Sequence, residues 1–284
     1  MTPRGSRALS AQALTLAFFL ALAAYFIVPV YWLIVAATKS TADMTATNGL
    51  WFAHFGLWRN LRDVFHYDGS LYSRWLLNSV IYAGLGALGG TLISAMAGYG
   101  LAKFRFPGRE AVFALILGGV LMPATLLALP LFLLESKLGL TNTYWGVLLP
   151  SLISPFGVYL ARVYATISVP DELLEAGRIE GAGELRIFTT IVLRIMSPAL
   201  VTIFLFQFVA IWNNFFLPLV VLNDRSLWPV TLGLYAWEGK ATLFPDVVRI
   251  VLAGSLVATL PLVIVFFSMQ RYLRAGLTAG AIKG

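Results

Sequence analysis

The chain of 284 residues has no cysteine and only two histidines, His54 and His66. The first absence excludes disulfide scaffolds, thiolate metal sites and cysteine nucleophiles, and the second leaves too few imidazoles for most zinc or di-iron centres. Charge is scarce as well. Only 12% of the residues are Asp, Glu, Lys or Arg, against about 25% in soluble globular chains, so charge cannot cover a water-facing exterior. In its place the chain is 59% hydrophobic, with a mean hydropathy of +0.83. Most of its surface must meet something other than water.

Crossing a hydrocarbon core takes about 20 consecutive apolar residues in a helix. Six stretches meet that requirement with no Lys, Arg, Asp or Glu inside them, at approximately 11–37, 75–101, 111–134, 143–161, 195–222 and 250–270. Barrel strands would alternate polar with apolar residues, and a helix satisfies its backbone internally. The expected fold is therefore an all-α integral membrane protein of six transmembrane helices, forming one domain over 1–284. Arg4, Arg7 and the triplet Ala21-Leu22-Ala23 imitate a cleaved signal peptide, but the apolar run continues to Ala37 and is read as a retained first helix.

The net charge is +7, and in a soluble chain that would suggest nucleic acid. Here it reports topology. Twelve of the 20 Lys and Arg fall to the N-terminus, the second and fourth loops and the C-tail, with Lys103, Arg105, Arg271 and Arg274 close to helix ends. The positive-inside rule then places both termini and these loops in the cytoplasm. His54 and His66 fall in an outside loop, as solvent or partner contacts.

Among the cytoplasmic loops, the fourth (162–194) is long. Ser168 with Asp171 reads as a capping-box-like helix start, with Pro170 tolerated in the first turn. Asp171, Glu172 and Glu175 place negative charge where the helix dipole favours it. Leu173, Ala176 and Gly177 are expected on one side of this helix. Gly181 and Gly183 turn the chain, and Leu185, Phe188, Ile191 and Val192 lead back to the membrane. An interfacial anchor would carry Lys and Arg on its polar face, whereas this helix opens with acids. A protein partner suits it better than lipid headgroups do.

At these residues the sequence resembles the inner-membrane permease subunits of binding-protein-dependent ABC importers. Their loop motif is E-A-A, three residues, G, nine residues, I-x-L-P. It stands here as Glu175-Ala176-Gly177, Gly181 and Ile191-Val192-Leu193-Arg194 with no gap in the spacing. Gly177 replaces the second alanine and Arg194 the proline. The resemblance covers nearly the whole chain and is nearest to the smaller maltose-type subunit of the carbohydrate branch, through the segments around Gly98–Arg109, Met122–Tyr144, Trp212–Pro218 and the C-tail Gly276–Gly284. It implies import of a sugar or oligosaccharide across a bacterial or archaeal cytoplasmic membrane. The implied partners are a second homologous permease, two ABC ATPase subunits and an extracytoplasmic solute-binding protein. Glu175, Ala176, Gly177, Arg178, Glu180 and Gly181 become the expected ATPase-coupling residues, in a short coupling helix. The C-tail is a further candidate contact.

The chain lacks a phosphate-binding Gly-Lys-Ser/Thr loop, so ATP and magnesium are expected on the partner ATPases and no cofactor or metal on this chain. With no intramembrane charge expected, a secondary carrier is disfavoured. With no His or carboxylate in the spans, so is a membrane-embedded enzyme. Polar residues inside the spans are amides and hydroxyls. The cluster Gln207, Trp212, Asn213 and Asn214 is the candidate substrate path, since sugar hydroxyls need hydrogen bonds and sugar faces need flat apolar contacts. Interhelical packing is the competing role. A polyol or glycerol-phosphate-type solute is the alternative substrate class.

Overall fold

The computed structural model of the protein describes residues 4–278. The segment 279–284, which holds most of the C-tail that resembles the permease family, lies outside the described residues. Among the described residues every regular element is helical: α1 (Arg4–Ala37), α2 (Thr41–Ala46), α3 (Leu57–His66), α4 (Leu71–Lys103), α5 (Arg109–Leu121), α6 (Ala128–Leu138), α7 (Tyr144–Ser151), α8 (Pro155–Ser168), α9 (Asp171–Ile179), α10 (Glu184–Ile187), α11 (Leu193–Ile195), α12 (Ser197–Trp212), α13 (Phe216–Val221), α14 (Val230–Ala241) and α15 (Asp246–Thr278). A π-helical turn, Phe188–Val192, joins α10 to α11.

Four helical stretches are long and apolar enough to cross a membrane, namely Gln12–Ala37, Leu57–Lys103, Tyr144–Ser168 and Asp246–Tyr272. Two bent pairs bring the number to six if each counts as one span. They are Arg109–Leu121 with Thr125–Leu138, bent by 99°, and Glu184–Ile195 with Ser197–Trp212, bent by 81°.

The expected spans differ from these elements where proline intervenes. The stretch 111–134 breaks at Met122-Pro123, because proline has no amide donor and holds the preceding residue extended, here at φ −77° and ψ 124°. The stretch 143–161 is interrupted before Pro155, where the Ser154 hydroxyl accepts the Gly157 amide at 3.1 Å and restarts the helix. From there α8 runs on to Ser168, past the expected loop start at 162. Arg162 is accommodated because it donates to Glu110 at 2.7 Å and lies 3.7 Å from the Phe113 ring centroid. One acid also escapes the expected charge-free spans. Glu135 sits in α6 at 3% exposure, with neither carboxylate oxygen hydrogen-bonded among the described residues.

Contacts divide the chain into two compact units. One comprises the described residues to Gly69 together with Ala236–Thr259. In it, buried Asn60 donates to the carbonyls of Ala37 and Lys39, which ties α3 to the end of α1, and Arg249 reaches Asn60 and Asp63. The other comprises Ser70–Tyr235 with the described residues from Leu260. Here α4 packs closely on α8 and α12, through a face of small residues that includes Ala83, Ala87, Ala95 and Gly98 on α4 and Ala161 and Ala165 on α8. Lipid tails are as apolar as leucine, so helices in a bilayer associate through close fit rather than through expulsion of water. At Gly98 the fit of α4 against α8 reaches the neighbouring backbone. A Cβ added there would lie 2.5 Å from Ala161 Cβ and 2.6 Å from the Arg162 backbone nitrogen.

Because the obstacle at Gly98 includes backbone, Gly98→Leu is expected to destabilise the bundle by at least the usual overpacking cost of about 1–3 kcal/mol. Gly84→Leu, whose added Cβ meets nothing within 4 Å, is expected to leave the thermal unfolding midpoint in detergent unchanged. Equal midpoints for the two variants would refute the close-packing account.

Candidate functional site

The motif loop forms a compact knob attached to the bundle. Pro170 stands at the N-cap of α9 with no side-chain cap bond, and Ser168 ends α8, so the expected Ser168 capping box does not form. Asp171 is held differently. Lys103, at the end of α4, donates to Asp171 Oδ1 at 2.7 Å. That hydrogen bond, reinforced by the lysine's charge and by Arg105 and Arg178, holds the Asp171 carboxyl below the ordinary aspartate value.

The inward face of α9 is Leu174 and Gly177, not the expected Leu173, Ala176 and Gly177. Leu174 is buried and Gly177 packs against Ile187, whereas Leu173 and Ala176 are exposed. A Cβ on Gly177 would come within 3.2 Å of Ile187 Cγ1. This position, where the resembling family has alanine, is therefore filled to near contact by glycine here. The outward face carries Glu172, Glu175, Ala176 and Ile179 at helical spacing, all exposed.

Gly181 ends the helix. Its φ is +80°, a left-handed conformation that costs side-chain-bearing residues about 1–2 kcal/mol. Its amide donates to the Arg178 carbonyl at 3.0 Å and the Ala182 amide to the Gly177 carbonyl at 2.9 Å. Together these bonds form a Schellman cap. Arg178 spans the turn, with Nε donating to Glu184 Oε1 at 2.7 Å, so the guanidinium expected to face a partner is engaged across Gly181. Glu175 and Glu180 are exposed.

The second arm packs back through Ile187, Phe188 and Val192, while Leu185 of the expected set is 71% exposed. One core joins this loop to the bundle, running from Ala95 and Tyr99 through Ala161, Ala165 and Leu174 to Ile187, Val192 and Ile203. Arg194, which stands where the resembling motif has proline, is exposed and helical. The chain bends two residues later at Met196, and Pro198 occupies the first turn of α12. The proline's role is thus displaced along the chain. Two exposed apolar side chains on the knob were not anticipated from the sequence, Ile179 at 87% and Leu185 at 71%. Their signal was an apolar residue out of phase with the inward face.

The four candidate path residues do not share one surface. Gln207 is buried and its Nε2 donates to the Ser151 carbonyl at 2.8 Å, and an added Cβ on Gly90 would collide with its amide. Trp212 is buried and stacked on Phe208 at 5.7 Å. Asn213 is exposed and folds back onto the Val209 carbonyl at 2.9 Å. Asn214 is half-buried, and its Oδ1 accepts the Leu217 amide at 3.3 Å where α13 begins. Polar side chains elsewhere also serve as brackets. Asn78, fully buried, donates to the carbonyls of Ser226 and Trp228 and accepts from the Tyr144 hydroxyl.

Set beside known proteins, the chain matches the family described as binding-protein-dependent transport system inner membrane component over residues 90–278, and it belongs to that family. With its several apolar helices it is a multi-pass membrane protein. It is 40% identical over 217 residues, 76% of each chain, to an arabinooligosaccharides transport system permease protein, AraQ, of Halalkalibacterium halodurans. It is 32% identical to the AraQ of Bacillus subtilis over 96% of this chain and 95% of that one. It is also 32% identical to the lactose transport system permease protein LacG of Rhizobium radiobacter over 93% and 94%. In fold it is similar to a chain of a bacterial ABC transporter involved in the import of the acidic polysaccharide alginate, with a TM-score of 0.80 at 23% identity, covering 96% of this chain and 99% of that one.

Since space around Gly181 is open and only its backbone is demanding, Gly181→Asn is expected to retain more loop stability than Gly181→Ala, because asparagine tolerates the left-handed region. Hydrogen exchange across 176–184 measures the difference, and equal protection would contradict the cap. A carboxyl with a depressed pKa contributes stability above its unfolded value and loses it as pH falls through the folded value. The Lys103–Asp171 tie therefore holds at neutral pH and is released only on acidification below the ordinary aspartate range. Lys103→Met is expected to return the Asp171 titration towards its ordinary value, read from its carboxyl-carbon chemical shift.

Proposed function

We propose that the chain is a pore-forming permease subunit of an ATP-driven importer of sugars or oligosaccharides, built as a single transmembrane domain of six spans with both termini in the cytoplasm. The observation that carries this reading is the similarity, at up to 40% identity, to permease proteins of arabinooligosaccharide and lactose transport systems. The two bent helix pairs, each counted as one span, bring the number to six, and the Lys and Arg bias supports the orientation.

In this reading α9 is the coupling helix. Its exposed face of Glu172, Glu175, Ala176 and Ile179, with Glu180 and the Gly181 turn beside it, seats in an ABC ATPase, and a second homologous permease carries the other α9 to a second ATPase. An extracytoplasmic binding protein delivers the solute. ATP and magnesium act on the ATPase subunits, and this chain is no catalyst. Hydrolysis displaces the knob. Because the knob shares its core with α4, α8 and α12, the displacement passes to the spans as a rigid-body change between outward- and inward-open states. The pore must hold its solute differently in the two states, or nothing is pumped. Of the candidate path residues Gln207, Trp212, Asn213 and Asn214, the last two lie at the break between α12 and α13 and are the ones this reading places nearest the solute.

Affinity capture of the chain from its native membrane in mild detergent, with mass spectrometry of the co-purifying proteins, tests the assembly. An ATPase, a second permease and a solute-binding protein are expected, and recovery of the chain alone would revive a self-contained carrier. Gly181→Trp and Glu175→Lys are each expected to abolish sugar uptake and ATPase stimulation while the spans stay inserted. Survival of both activities in both variants would remove the coupling role. Asn213→Ala and Asn214→Ala are expected to lower uptake with ATPase recruitment intact, and unchanged uptake kinetics would assign both residues to packing.

A further inference from the structure

The first unit contains a cavity of about 560 Å³. Trp32 and Ala36 at the end of α1, Lys39, Glu238 of α14, and Val251 and Leu252 of α15 contribute to its wall. Lys39 is 2% exposed. Its Nζ donates to Thr47 Oγ1 at 3.0 Å and to the Asn48 carbonyl at 2.6 Å. An ammonium has three donors, both of these acceptors are neutral, and the described residues show no ion pair to this lysine. Leaving a charge buried in that way is costly.

The position is nonetheless held firmly. Asn60, fully buried, donates to the carbonyls of Ala37 and Lys39 at 2.9 Å, the Gly56 amide donates to the Thr38 carbonyl at 2.7 Å, and Ser40 and Asp43 close a reciprocal capping box on α2. The chain thus fixes a buried lysine beside a cavity.

Its level along the helices indicates the solvent it meets. Trp32 to Lys39 end the apolar stretch Gln12–Ala37, and the α15 wall opens the apolar stretch Asp246–Tyr272. Both are ends where hydrocarbon gives way to headgroups. Aromatic residues mark that level in membrane proteins. Trp32 is 43% exposed, and Trp51, Phe55 and Trp58 on the following segment are 69%, 63% and 77% exposed. An occupant of the cavity must offer an acceptor to Lys39, a donor to Glu238 and an apolar portion to Ala36, Val251 and Leu252. An aminophospholipid carries all three, as phosphate, ammonium and acyl chain. The geometry points to a phosphatidylethanolamine-type lipid bound in this cavity, with its phosphate taken by Lys39 and its ammonium by Glu238. The lining residues named here all belong to the first unit.

The test uses the full chain with its co-purifying subunits, reconstituted in nanodiscs of equimolar phosphatidylethanolamine and phosphatidylglycerol. Lipid that survives a delipidating detergent is counted by native mass spectrometry, so the outcome is independent of whether sugar transport is correct. One phosphatidylethanolamine is expected on the wild-type chain. Lys39→Met, which loses a charge-assisted hydrogen bond, is expected to retain about tenfold less. Leu252→Trp, which fills the cavity and leaves the lysine's contacts in place, is expected to lose the lipid too. Absence of retained lipid on the wild type, or equal retention in wild type and both variants, would overturn the assignment. Displacement of the lipid by a millimolar oligosaccharide would overturn it as well, giving the cavity to a saccharide.

Discussion

The packing of Gly177 against Ile187, in a core shared with Leu174 and continuous with Ala95, Ala161 and Ile203, is the contact that holds the motif loop to the helix bundle. In a bilayer the driving force for helix association is close fit, and fit is what the small-residue faces of α4 and α8 provide. The same core continues into the motif loop, which is packed against the spans at that junction.

The spacing of the motif has a physical reading in this geometry. Gly181 is required by backbone conformation rather than by space, since it supplies the left-handed residue of a Schellman cap. The cap stops α9 after Ile179 and returns the chain through α10, so that Arg178 can bridge to Glu184. Glu175 lies on the face opposite Leu174, where it is free for an external contact. The π-helical turn at Phe188–Val192 and the bend at Met196 then direct the chain into α12. The bend follows from local sequence, with Pro198 in the first turn, although Arg194 stands where the resembling motif has its proline.

Much of this was legible in the sequence. Apolar runs gave the helices, and the glycine pair gave the turn between α9 and α10. Three features were not legible, each for a definite reason. The inward residue of α9 is Leu174 rather than Leu173, because the two leucines are equivalent in composition and only the core they meet decides between them. The Ser168 cap was misassigned, because α8 runs on to that residue and Lys103, 68 positions away in sequence, takes Asp171. The surroundings of Gln207 and Trp212 were not legible either, since amide and indole chemistry suits a sugar and also suits the packed interior where Gln207 donates to the Ser151 carbonyl and Trp212 stacks on Phe208. For Asp171 and Gln207 a contact distant in sequence sets the environment.

The absence of native cysteine allows a direct test of the central claim. A single Ile179→Cys places a thiol on the most exposed apolar side chain of the knob, and a short bifunctional reagent applied to inside-out membrane vesicles reads what lies against it. A cross-link to an ABC ATPase subunit is expected, with a yield that changes when nucleotide is trapped. A thiol that labels only from the extracytoplasmic side, or that gives no cross-link while the importer is active, would contradict it.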